Sequence, residues 1–121
     1  MDRIEQAAEL KRTNNCCQAV LLAYADVLGK SEAELFTLGK CFGAGMGGMQ
    51  GTCGALIGAE MVLSLLGGNM AQAKTLHQNF TKLCGASVCK DIKGAETGKI
   101  LCSCEDCVRN AVKALEEIRN V

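Results

Sequence analysis

Apolar positions along the chain recur at helical spacing, alternating strand-like runs are absent, and no proline interrupts any segment, so the pattern predicts an all-helical protein. Residues 2 to 12 read as a short polar helix. Asn14 or Asn15 can cap a second helix that runs to Leu28 and stops at Gly29. Ser31 with Glu34 three residues on is a capping box for a third helix, ending near Cys41. A fourth starts after Thr52 and stops at Gly67-Gly68, and Asn69 caps a fifth that ends at Cys84-Gly85. Ser87 opens a helical turn up to Ile92, and Ser103 caps a last helix over Cys104 to Asn120.

The second and fourth helices are apolar nearly all round, which places them at the centre. The fifth carries a stripe through Ala73, Leu76, His77, Phe80, Leu83 and Cys84, and the last one through Cys104, Cys107, Val108, Ala111, Leu115 and Ile118. The expectation is one compact domain over residues 1–121, a bundle of about five to seven helices around two buried ones, with a glycine-rich loop.

Composition sharpens this picture at one point. Thirteen Lys and Arg balance 13 Asp and Glu, which speaks against a strongly electropositive, nucleic-acid-binding surface. Nine cysteines in 121 residues are the anomaly. The N-terminal stretch carries charges from its second position and no apolar run, unlike a secretory signal. The apolar stretches Cys16 to Leu28 and Thr52 to Leu66 are too short for membrane insertion, and each contains an acidic residue. An odd cysteine count suits metal binding or redox chemistry in a reducing cytoplasm better than a paired extracellular framework.

Four cysteines fall where a helix is expected to start: Cys16, Cys53, Cys89 and Cys104. Unpaired N–H groups and the positive end of the helix dipole favour a thiolate there. The run Cys102-Ser-Cys104-Glu-Asp-Cys107 contains one CxxC whose sulfurs would share a helix face, which suits two metal ligands or a reactive dithiol. Neither a thioredoxin context nor a second CxxC at zinc-ribbon spacing accompanies it. Cys17, Cys41 and Cys84 read as core packing, His77 as a core histidine, and Glu60 as a solvent-reaching carboxylate. Seven of the 14 glycines lie between Cys41 and Gly58. They match neither nucleotide-binding fingerprint, and the pair Gly54 and Gly58 instead suits close approach of a neighbouring helix or a cluster. Met46, Met49, Met61 and Met70 suit either core filling or the self-association face of a homodimer.

Several of these segments carry a family resemblance. Asn15-Cys16-Cys17-Gln18-Ala19-Val20, Phe42-Gly43-x-Gly45-Met46-Gly47, Thr52-Cys53-Gly54-Ala55-x-x-Gly58, Cys89 in Cys-Lys-Asp-Ile-Lys-Gly, and Cys107-Val108 together resemble the C_GCAxxG_C_C family of small redox-active domains. The resemblance implies that Cys16, Cys53, Cys89 and Cys107 are the redox or metal-binding cysteines. It also implies an iron–sulfur cluster, as a related domain in a multihaem cytochrome suggests. The additional cysteines at 17, 41, 84, 102 and 104 leave open which of Cys16/Cys17 and of Cys102/Cys104/Cys107 faces the site. On this reading the protein carries electrons to an unidentified redox partner through a four-thiolate centre. The alternatives are metal-free thiol–disulfide exchange, with Cys104/Cys107 or Cys53/Cys89 as the pair, and a zinc-binding structural or trafficking module.

Overall fold

The computed structural model describes residues 2–119, in which eight α-helices and one π-type turn are present and no strand occurs among the described residues. The helices are α1 (Arg3–Leu10), α2 (Cys16–Ala23), α3 (Ala25–Leu28), α4 (Glu32–Leu38), α5 (Gly54–Leu65), α6 (Met70–Cys84), α7 (Cys89–Lys93) and α8 (Cys104–Arg119). The all-α class is as expected, but the helix count exceeds the expected five to seven. Asn120, the expected last residue of the final helix, lies outside the described residues.

The extra helix comes from a break in the segment expected to run unbroken to Leu28. Tyr24 is fully buried, and its hydroxyl donates to Glu116 Oε2 at 3.1 Å. The Arg3 guanidinium lies 4.4 Å from the Tyr24 ring centre and donates to the carbonyl oxygen of Ala23. That carbonyl would accept from Val27 N–H in a continuous helix; Val27 N–H goes instead to Tyr24 O, at 3.0 Å. A tertiary contact from α1 thus captures the acceptor, and the chain restarts as α3 before Gly29 ends it in the left-handed region.

Sequence capping signals act where they were read. Asn15, Ser31 and Asn69 each form a reciprocal capping box, with Gln18, Glu34 and Gln72 respectively, and Ser103 Oγ accepts from Asp106 N–H at 3.1 Å. Several ends differ. The third expected helix stops at Leu38, short of Cys41, and Val88 rather than Ser87 stands at the N-cap of α7. The glycine-rich segment holds the π-type turn Gly45–Met49, in which Met46 and Met49 adopt positive φ, as does Ala44 just before it.

Helices α2 and α5 form the centre, as the all-round apolar pattern required. They pack on each other and on α8, while α6 closes over α8, α1 covers α2 and α8, and α4 lies along α2. Their close approach depends on glycine. A β-carbon at position 58 would lie 2.8 Å from Cys17 O and 3.1 Å from Val20 Cβ, and one at position 54 would lie 2.6 Å from Phe42 O. The steric reading of this glycine pair therefore holds, and the same contact sets Cys16 beside Cys53.

Candidate functional site

Elements distant in sequence deliver their cysteines to one end of the bundle. Cys16 is the first residue of α2, Cys89 of α7 and Cys104 of α8, and Cys53 is the N-cap residue of α5. Cys107 stands one turn into α8 and Cys84 is the last residue of α6. The loop positions are fixed by backbone pairing. Cys53 N–H donates to Ser87 O at 2.8 Å and Cys89 N–H to Gly51 O at 3.0 Å, around a single bridge between Thr52 and Val88. Gly45 lies so close to Cys89 that a β-carbon there would meet Cys89 Cβ at 2.5 Å and its sulfur at 3.3 Å.

A chain of sulfur interactions runs through these positions. Cys104 and Cys16 perturb each other's ionisation, as do Cys16 and Cys53, Cys53 and Cys107, and Cys107 and Cys84. Cys89 interacts electrostatically with Cys53 and Cys104. The sulfurs of Cys84, Cys102 and Cys107 all lie within 4.8 Å of one another, which is close enough for the three to hold a metal ion. Cys84 was expected to be core packing; it is buried, and it also belongs to this sulfur group. Cys41, also expected in the core, is exposed, because α4 ends before reaching it. Cys17 is fully buried, with its thiol 3.8 Å from Met61 Sδ, so of the Cys16/Cys17 pair it is Cys16 that joins the other sulfurs.

Two further residues belong here that no motif announced. Lys93, at the end of α7, donates to Cys102 O at 2.9 Å and reaches Cys107 Sγ at 3.7 Å. Burial alone would lower the Lys93 ammonium, but the Cys107 and Cys104 sulfurs beside it override that and raise it, so it remains a cation. Asn110 Nδ2 points at Cys84 Sγ, 3.3 Å away, and at Cys102 Sγ, 3.6 Å away. Spacing alone carries a faint trace of both: Lys93 is four residues after Cys89, and Asn110 three after Cys107, each on the same helix face as its cysteine.

The helix-start positions were expected to make thiolates, and that expectation fails for most of them. The Cys16 thiol is pushed up by Cys104, by burial and by Cys53. Cys53 is pushed up by Cys107 and burial, and Cys89 by burial first and then by Cys53. Cys53 pulls Cys107 down, but Cys84 and burial outweigh it and the net shift is upward. Crowded sulfurs cannot all ionise, and the dipole of a short helix is too weak to compensate. Only Cys104, the most accessible of the linked sulfurs, is lowered, to about 5. Cys16 dominates that shift, with Lys93 and Lys11 adding to it against burial.

His77 and Glu60 lie outside the sulfur group. His77 is half-buried rather than in the core, and burial raises the half-buried Glu60 carboxyl, opposed by His77. The donors offered to a ligand are therefore all sulfur. No described helix is long and apolar enough to cross a membrane.

No curated protein and no solved structure matches the chain significantly. Residues 14–118, which include every cysteine, match one family described as "Putative redox-active protein (C_GCAxxG_C_C)". With most of its length covered and the four motif cysteines in order at Cys16, Cys53, Cys89 and Cys107, the chain belongs to the C_GCAxxG_C_C family.

Proposed function

We propose that this chain is a small electron-transfer protein whose Cys16, Cys53, Cys89 and Cys107, with Cys104 beside them, hold an iron–sulfur cluster. The observation that carries the reading is that these thiols, from α2, α5, α7 and α8, act on one another's charge at one end of the bundle, with Lys93 beside Cys89, Cys104 and Cys107 and Lys11 beside Cys16. The donor set fits: it is all thiol, without imidazole or carboxylate, and soft sulfur donors select iron–sulfur clusters, zinc or Cu(I). When bound, such a cluster supplies one-electron chemistry. The chain's own residues do the rest. Lys93 offsets the negative charge of the sulfurs, Gly45 lets the backbone approach Cys89, and the raised thiols lose their protons only on ligation. A reducing cytoplasm suits cysteines held as free thiols, and an unidentified redox partner would exchange the electron.

Purification without oxygen, followed by a visible spectrum and assays of iron, acid-labile sulfide and zinc, tests this directly. A brown protein with stoichiometric iron and sulfide, lost in the Cys16→Ser/Cys89→Ser double variant, is the expected result. Bound zinc with no redox response would refute it.

One observation favours thiol–disulfide exchange as a second reading. Cys104 is exposed and its thiol is lowered, with Cys16 the first cause of that lowering. Its thiolate would attack a substrate disulfide and expel one substrate thiolate. Cys16, giving up its proton, would then attack Cys104 Sγ, releasing the second substrate thiol and leaving a Cys16–Cys104 disulfide. The substrate gains two electrons and the protein loses two. A colourless, metal-free protein that reversibly loses two thiols would select this reading over the first.

A further inference from the structure

The Cys84, Cys102 and Cys107 sulfurs invite a separate assignment, because Cys84 and Cys102 lie outside the four motif cysteines. They come from three places: the end of α6, the loop before α8, and the first turn of α8. All three sulfurs are mutually within 4.8 Å. Each also faces a nitrogen donor. Asn110 Nδ2 lies 3.3 Å from Cys84 Sγ and 3.6 Å from Cys102 Sγ, and Lys93 Nζ lies 3.7 Å from Cys107 Sγ. An N–H aimed at sulfur satisfies an acceptor, and sulfur accepts most strongly as a thiolate. One amide shared between two sulfurs, with a cation on the third, is the outer-shell arrangement of a metal–thiolate site. Lys93 is anchored for this role by its 2.9 Å bond to Cys102 O, which also fixes the loop that presents Cys102.

We propose that Cys84, Cys102 and Cys107 form a second soft-metal site, a three-thiolate pocket for one thiophilic d10 cation, oriented by Asn110 and Lys93. It shares only Cys107 with the four-cysteine centre and does not depend on the iron–sulfur reading. The donors decide the class of ion. Three thiols without carboxylate or imidazole exclude a preference for Mg²⁺ or Ca²⁺ and select Cu(I) or Zn(II). Cys53 stands outside the mutual group of three, so the pocket offers three protein ligands rather than four. Three-coordination suits Cu(I), and Zn(II) would add a water beside the partly exposed Cys102. Binding releases the thiol protons to solvent and involves no change in oxidation state.

Anaerobic titration of the reduced, metal-free protein tests this in two arms, Cu(I) against a coloured chelator and Zn(II) against a fluorescent one. One equivalent of at least one ion should bind in competition with the chelator. Cys102→Ala, on the partly exposed loop and added to Cys16→Ser/Cys89→Ser so that the four-cysteine centre cannot take the ion, should lose that binding while far-ultraviolet circular dichroism stays unchanged. Asn110→Ala should weaken it about 10-fold, the scale on which outer-shell partners act. The Cys16→Ser/Cys89→Ser variant should bind the same ion with unchanged affinity, although it would lose any iron–sulfur cluster. Absence of binding in both arms overturns the assignment, and so does binding that survives Cys102→Ala in that background or disappears in Cys16→Ser/Cys89→Ser.

Discussion

Replacing Gly58 with alanine tests the contact that brings the first two motif cysteines together. At an open helix position this change gains about 1 kcal/mol, because alanine is the better helix former. Here the added β-carbon would sit 2.8 Å from Cys17 O, 3.2 Å from Cys17 Cα and 3.1 Å from Val20 Cβ. Two of those atoms are backbone and the third is on a stiff β-branched side chain, so nothing can rotate away and α2 and α5 must separate. Overpacking of this kind costs about 1–3 kcal/mol, and the absence of a flexible neighbour places this case in the upper half. Subtracting the propensity gain leaves a net loss of about 1–2 kcal/mol. Unfolding entropy near 2.1 cal/mol/K per residue makes that a fall in Tm of about 4–8 °C for a chain of this length. Thermal unfolding followed by circular dichroism under reducing conditions measures it. Gly48→Ala, where no neighbour lies within 4 Å, is the control and should stay within about 0.5 kcal/mol of the parent. Because α2 carries Cys16 and α5 starts beside Cys53, the variant should also react faster with an aromatic disulfide reagent. A Tm equal to or above that of the parent would show that the helices do not meet at Gly58, and the derived placement of the two sulfurs would fall with it.

Cys104 should be the first thiol alkylated by iodoacetamide, with a rate that holds from neutral pH and declines as pH drops through about 5; Cys104→Ser should abolish this phase. Lys93→Met removes a cation that favours the Cys104 thiolate, so the midpoint of the same profile should move upward, and an unmoved midpoint would contradict the placement of Lys93. Asn15→Ala deletes the cap of α2 and the bonds from Asn15 Nδ2 to Gly39 O and Lys40 O; a loss of about 1–2 kcal/mol in urea unfolding is expected. Tyr24→Phe removes one hydrogen bond to Glu116 while keeping the ring under Arg3, so the same assay should show a loss of about 1 kcal/mol.

Local signals in the chain already determined the helical class, one capping box at Ser31, helix caps before α2 and at Asn69, and the burial of α2 and α5. Each follows from residues within a few positions of one another: Asn15 with Gln18, Ser31 with Glu34, Asn69 with Gln72, and an apolar surface on every side of two helices. The Gly54/Gly58 spacing likewise announced a close approach, although not the partner that makes it. Only the tertiary structure decided the break at Tyr24, since the arginine that takes the Ala23 carbonyl lies 20 residues upstream. The same holds for sulfur chemistry. A cysteine at a helix start favours a thiolate when considered alone, and burial and neighbouring sulfurs work against that at Cys16, Cys53 and Cys89 by raising their thiols. Cys84 left no local motif and Lys93 and Asn110 only a faint spacing trace, because their roles come from distances set by helix packing between α6, α7 and α8. Hydrogen-bond caps act over three residues and are written in the chain; charge and metal affinity depend on every group within several ångströms, and folding alone brings those groups together.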